Sequence, residues 1–344
     1  METAITNLVA MQEDSCQRFA DNPLYGVKKD KTHHWIHYNE FGVQVAQCRA
    51  GLSQLGINPG DSVAFISNNR IEWAVAAYAT FGLEAIFVPM YLDQQTKDWE
   101  FIINDCSAKI VFAGQPETFQ KIKDIRDNLP SVEHCIPLDG SSNDLMTFQD
   151  LLLLGEAHPT PSLKRQSQET CCIGYTSGTT GKPKGVMLSH HNFLFEVDSG
   201  LAKFNLHSSD RSLSFLPWAH IFGNVTEVHA VIRSGMSAAL VNDLTEIVDD
   251  LAIVKPTLLY SVPRVYSRIY TGVMEQMLHK PAVIRVLFHK GLKYAQKHNQ
   301  NEKLSIKETI ILFLAKKLIF SKIIQKFGGR IRIAISGASA LSPK

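Results

Sequence analysis

The residues best suited to hold an anion are concentrated between Tyr175 and His190, in YTSGTTGKPKGVMLSH. Five Thr/Ser hydroxyls, three glycines and two lysines share these sixteen positions. Glycines let the backbone approach a ligand closely and accept positive φ. Hydroxyls and free N–H groups donate to phosphate oxygens, and lysine adds a point charge. Together they suit a polyphosphate. The phosphate loop G-x-x-x-x-G-K-[ST] does not fit, because two residues separate Gly178 from Gly181 and Pro183 follows Lys182. The pattern G-x-G-x-x-G does not occur in the loop either. A flexible Gly/Ser/Thr linker is the bland alternative, and KPKGVMLSH argues against it by giving the loop a defined exit.

A loop of this kind needs a scaffold, and the flanking sequence supplies one. Apolar residues recur at helical spacing over FGVQVAQCRAGLSQL, and GINPGD stops that helix. SVAFIS, EAIFVPM and AKIVFAG read as short buried strands alternating with helices in NRIEWAVAAYATFGL and TKDWEFIINDC. The rhythm predicts an α/β fold with a parallel sheet covered on both faces. Residues 155–169 break it as a surface connection. After the loop it resumes, with a helix from His190 and His191, a strand over RSLSFLPW, a helix over TEVHAVIRSG, a strand over SAALVN and a strand leading into a turn over TLLYSVPRVY. Residues 267–327 are helical in periodicity and rich in Lys and His. They read as amphipathic helices packed on the core, or as a basic surface that meets an anionic membrane or an acyl chain.

The 344 residues are 45% hydrophobic and 20% charged, ordinary for a globular chain. A formal charge of +2 gives no broad electrostatic case for nucleic acid. The six cysteines, at 16, 48, 106, 135, 171 and 172, form no CxxC pair and no zinc-ligand spacing, so they read as buried thiols of a reducing compartment. The N-terminus lacks the basic region of a signal peptide. No apolar run approaches the ~20 residues of a spanning helix. The expected location is cytoplasmic, with peripheral contact on the inner face of a membrane as an extension.

YTSGTTGKPKGVMLSHHNF resembles the phosphate-binding signature of the adenylate-forming enzymes: acyl-CoA synthetases, luciferases and peptide-synthetase adenylation domains. FLPWAHIFGN is similar to the histidine-bearing strand end of that family. YSVPRVYSRIY, the helical stretch after it and GGRIRIAISGASAL resemble its long-chain fatty acid–CoA ligase branch. The resemblance runs from about residue 10 to the last. It implies the family's large N-terminal AMP-binding domain, built of two doubly wound sheet-and-helix subdomains. The expected division is a first α/β portion to about residue 165, then the phosphate loop and a second α/β portion over 166–344 with the helical insert 267–327.

The resemblance also implies residue roles. Thr176, Ser177, Gly178, Thr179, Thr180 and Gly181 would wrap the β- and γ-phosphates of ATP, with Lys184 nearby. His220 would sit at the fatty acid carboxylate and adenylate as the catalytic histidine. Gly337 and Ala338 would line the adenine and acyl pocket. Trp218 and Phe222, on either side of His220, are assigned here as walls of the acyl tunnel. No residue is assigned to a metal. The implied reaction uses ATP, Mg²⁺ and CoA: a long-chain fatty acid attacks the α-phosphorus to give acyl adenylate and pyrophosphate, and the CoA thiolate then displaces AMP.

The sequence ends at SGASALSPK, before the family's Tyr-Gly-x-Thr-Glu segment, its later Gly-Asp segment and its small C-terminal domain. The expectation is therefore a chain incomplete at its C-terminal end and inactive or nearly so alone. A strand edge left open there favours self-association, as a homodimer or as aggregates. Two other functions stay open: a non-catalytic nucleotide- or acyl-binding protein, and an adenylating enzyme for another carboxylic acid.

Overall fold

Strands of the first portion are runs of apolar residues because both of their faces are covered. A computed structural model describes residues 5–30, 32–139, 145–163, 166–176, 181–241 and 243–340. It forms two compact units, Met1–Asp210 with Ser214–Asn242, and Arg211–Leu213 with Asp243–Lys344.

In the first unit the order is α1 (Leu8–Arg18), β1 (Pro23–Lys29), β2 (Thr32–His37), α2 (Tyr38–Gln54), β3 (Ser62–Ile66), α3 (Ile71–Phe81), β4 (Ile86–Met90), α4 (Thr96–Asp105), β5 (Ala108–Ala113), α5 (Pro116–Asp124), β6 (His134–Pro137), α6 (Phe148–Ala157), β7 (Thr170–Thr176), β8 (Lys184–Ser189) and α7 (His190–Phe204). Then come β9 (Arg211–Ser214), which crosses the unit boundary, α8 (Ile221–Gly223), a π-helical turn over Asn224–His229, α9 (Ala230–Ser234) and β10 (Ser237–Leu240).

One sheet has the order β6-β5-β3-β4-β7-β8, parallel except for the β7–β8 hairpin. All five residues of β3 are buried, as a two-sided strand requires. A further set pairs β10 parallel to β1 and β1 antiparallel to β2. The sheets are therefore mixed, where alternation alone predicts a parallel sheet. Neither antiparallel pairing follows from apolar periodicity; Asp30, with φ near 56°, directly follows the first strand.

Helix α3 is buried from Trp73 through Phe81, which explains its nearly unbroken apolar sequence. Trp73 packs edge-on against Phe87 at 4.9 Å and Trp218 at 5.6 Å. Each such ring stabilises the fold by roughly 1.5–3 kcal/mol of buried apolar surface. All six cysteines are free thiols. Burial pushes Cys16 up to about 11 and Cys106, Cys135 and Cys172 up to about 12, so these thiols are poor nucleophiles.

The second unit continues with α10 (Ile247–Val254), β11 (Leu258–Ser261), α11 (Pro263–Leu278), α12 (Ala282–Asn299), α13 (Ile306–Ala315), a π-helical turn over Lys316–Phe320, α14 (Ser321–Lys326) and β12 (Ile333–Ser336). Here β11 lies between β12 and β9, parallel to both. Pro263, read from sequence as part of a strand and turn, instead occupies the first turn of α11, where its missing N–H costs nothing. Helices α11–α14 pack on one another around Met277, Phe288 and Ile319. Gly291 permits the close crossing of α12 with the 306–326 run, since a Cβ there would collide with the Ala315 Cβ.

Candidate functional site

The described residues on either side of the glycine-rich stretch belong to β7 and β8, which pair antiparallel. Thr176 pairs with Lys184, and both are exposed. Ser177, Gly178, Thr179 and Thr180 lie outside the described residues. Gly181 is exposed and has φ near 88°, a conformation that excludes most side chains.

The base of the hairpin is firmly held. Tyr175 packs into the cluster that includes Ile66, Val88, Trp99 and Val111, and its hydroxyl donates to Asp105 Oδ2 at 2.6 Å. Burial, with Asp105 as acceptor, raises that hydroxyl far above its ordinary value, so it stays a donor. Lys182 Nζ stands 5.7 Å from the Phe101 ring centroid. Both ties lead to α4, whose face borders a groove of about 490 Å³ lined by Lys97, Glu100, Phe101, Asn104 and Asp105. At the exit, Ser189 caps α7 in a reciprocal box with Asn192, which is why the helix begins at His190.

His220 stands on a separate segment of the same unit. It is exposed at the N-cap of α8, and its Nδ1 accepts the Phe222 backbone N–H at 3.2 Å. With Nδ1 engaged as that acceptor, Nε2 is the ring nitrogen left to donate. Gly223 makes the tight turn behind it, since a Cβ there would lie 2.5 Å from the Pro217 carbonyl oxygen.

Beneath His220 is a buried polar network. The Trp218 indole N–H donates to Ser214 Oγ at 3.0 Å, and Ser214 Oγ donates to Glu227 Oε2 at 2.6 Å. Asn69 clamps the same stretch, accepting from Trp218 N at 2.9 Å and donating to the Leu216 carbonyl at 2.7 Å. Glu227 is 0% exposed, and burial raises its carboxyl to about 8. The Ser214 hydroxyl, the Trp218 indole and the N–H groups of Phe215 and Leu216 pull partly the other way. Two residues on, His229 meets the Tyr78 hydroxyl at 2.6 Å, and burial, with His190 nearby, lowers it to about 3. A buried acid kept protonated and a buried histidine kept neutral thus share one π-helical turn, a distortion that recurs at functional sites.

Trp218 is 1% exposed, edge-on to Trp73 and tilted against Tyr25, so it supports this segment from within the core. Phe222 is half-buried. Glu227, Ser214 and Asn69 carry no sequence signal of their own. Glu227 reads as the polar face of a helix, and only tertiary burial gives it a role.

In the second unit, Gly337 and Ala338 follow the carboxyl end of β12. Gly337 N donates to the Ser261 carbonyl at 3.1 Å, and Ala338 holds φ near 64°, a strained conformation for a residue with a Cβ. Ser261 and Ser336 are register partners at the ends of β11 and β12, and both hydroxyls are buried with no hydrogen-bond partner among the described residues. Carboxyl ends of parallel strands are where α/β sheets bind ligands. Thr176, Lys184 and His220 belong to the first unit, and the Gly337–Ala338 strand end belongs to the second.

Residues 12–344 match the model of the family described as AMP-binding enzyme. The chain is 29% identical to long chain acyl-CoA synthetase 7, peroxisomal, of Arabidopsis thaliana over 95% of its own length and 48% of that protein. It is also 29% identical to fatty acyl-CoA synthetase B of Dictyostelium discoideum, over 95% of its length and 51% of the relative. It spans about half the length of the curated relatives it matches. Among solved structures, the adenylation domain of a carboxylate reductase from Mycobacterium chelonae superposes with a TM-score of 0.75 at 19% identity, covering 99% of this chain and 55% of that one. The chain belongs to the AMP-binding enzyme family.

Proposed function

We propose that this chain is the phosphate-loop-bearing part of an ATP-dependent long-chain fatty acid–CoA ligase. The observation that carries the reading is the anchored β7–β8 hairpin, which presents Thr176 and Lys184 side by side in a chain that matches the AMP-binding family over residues 12–344. The names of its curated relatives favour a long acyl chain.

In this reading Thr176 through Gly181 donate to the β- and γ-phosphates, and Lys184 offsets their charge. His220 Nε2–H meets the fatty carboxylate and then the acyl adenylate. The Asn69–Trp218–Ser214–Glu227 network holds that histidine in place; Phe222 is better exposed than Trp218 to touch the acyl chain. Gly337 and Ala338, beside the two orphaned serine hydroxyls, take the adenine. The carboxylate attacks the α-phosphorus, pyrophosphate leaves, and the CoA thiolate then displaces AMP. Most of the rate comes from positioning and charge stabilisation. Mg²⁺ would enter with ATP and offset charge on its phosphates.

Fatty-acid-dependent exchange of pyrophosphate into ATP tests the reading, on this chain and on one extended through the remaining length of its relatives. Exchange with laurate, palmitate or oleate in the extended chain is the expected result. ATP binding without exchange in either chain would instead favour a non-catalytic nucleotide-binding protein. Exchange with aromatic acids alone would move the substrate to another class.

A further inference from the structure

The helical part of the second unit carries a charge imbalance that the phosphate chemistry does not use. Residues 263–327 contain thirteen of the 35 Lys and Arg residues of the chain but three of its 33 Asp and Glu residues. Within that stretch, α13, the π-helical turn and α14 form one unbroken helical run, 306–326.

The run is apolar on two faces. Leu312, Ala315 and Ile319 are buried against the unit's own core. On the other side, Ile306 (81% exposed), Ile310, Phe313 (61% exposed), Leu314 and Leu318 are all open to solvent. Their spacing of 0, 4, 7, 8 and 12 makes one continuous stripe along a helix. Exposed Lys307, Lys316 and Lys317 lie beside it. The one acid of the run, Glu308, is neutralised by Lys297 at 2.9 Å and tied to Ser305. Among the described residues no helix is long and apolar enough to cross a membrane. An apolar stripe with lysine flanks instead suits a helix lying in the plane of a bilayer, with its side chains at the headgroup–acyl boundary. The local excess of ten positive charges selects an anionic lipid surface over a neutral one.

We infer that the 306–320 stripe is a docking surface for an anionic membrane. The inference does not rest on the ligase reading. Its test is sedimentation of the 344-residue chain with vesicles of phosphatidylcholine alone and with about one-third phosphatidylserine, at low and high salt. Binding to the anionic vesicles, weakened by salt, is expected. The double variant Ile310→Ser/Phe313→Ser should lose at least about tenfold in partitioning. Lys316→Gln and Lys317→Gln should each lose about fivefold and flatten the salt dependence. Far-ultraviolet circular dichroism identical to the parent confirms that each variant is folded.

Equal binding to both vesicle types, or binding untouched by the folded variants, would overturn the inference. So would a stripe that pairs two copies: no vesicle binding, and a dimer in light scattering that Ile310→Ser/Phe313→Ser dissociates. Loss of binding in a chain extended to the relatives' length would show that the remaining polypeptide covers the stripe, and would overturn it equally.

Discussion

Glu227→Gln should change how the first unit's stability depends on pH, in a direction set by burial. The carboxyl titrates near 4.5 when exposed and near 8 in the fold. Between those values the folded state keeps a proton that the unfolded chain has lost. Stability therefore falls as pH rises, by up to about 1.4 kcal/mol per pH unit. His229 acts in the opposite sense. It titrates near 6.5 when exposed and near 3 in the fold, so the unfolded chain holds the extra proton and stability climbs with pH over that range.

From pH 4.5 to 6.5 the two slopes cancel. Above 6.5 only Glu227 acts, and about 2 kcal/mol should be lost by pH 8. Glutamine keeps the shape and cannot ionise. The variant should hold its stability from pH 6.5 to 8, and between 4.5 and 6.5 it should show the rise due to His229, close to 3 kcal/mol. All four tryptophans, Trp35, Trp73, Trp99 and Trp218, lie in the first unit, so urea unfolding followed by tryptophan emission reads this unit alone. Parallel curves for the parent and variant across pH 5 to 8 would refute the reasoning.

Three further outcomes follow from the same geometry. Gly223→Ala sets a Cβ 2.5 Å from a backbone oxygen that no side-chain rotation can relieve, so it should cost about 2–3 kcal/mol in the tryptophan-detected unfolding; an unchanged midpoint would contradict the close approach. His220→Ala removes an exposed side chain, so the midpoint should hold within about 0.5 kcal/mol while pyrophosphate exchange by the extended chain drops about a hundredfold or more. Ala338→Gly relieves the positive φ and should stabilise the second unit by up to about 1 kcal/mol, read by circular dichroism; a loss would mean that the Ala338 methyl makes contacts worth more than the strain.

The parts legible in the sequence were those set by local pattern. Buried strands such as Ser62–Ile66 and helices such as Ile71–Phe81 declare themselves through apolar runs and periodicity, and the stop at GINPGD ends α2 near where it was expected. The helical character of 267–327 was equally plain. What escaped was set at a distance. The β1–β2 hairpin contains THHWIH, whose alternation is too polar to stand out, and β8 is an edge strand with Val186 and Met187 exposed. RSLSFLPW looked like one strand, yet β9 ends at Ser214 because the next residues turn inward to meet Asn69 and Glu227. His220 was legible through its motif. The network beneath it was not, since nothing local tells a buried, protonated glutamate from a solvated one.

The claim that the β7–β8 hairpin cradles a polyphosphate underlies the whole functional reading, and calorimetric titration of the chain with ATP and with AMP tests it most directly. ATP should bind more tightly than AMP, and Lys184→Gln should weaken ATP by roughly tenfold or more while leaving AMP within about twofold. Equal affinities for the two nucleotides, both indifferent to Lys184, would contradict it.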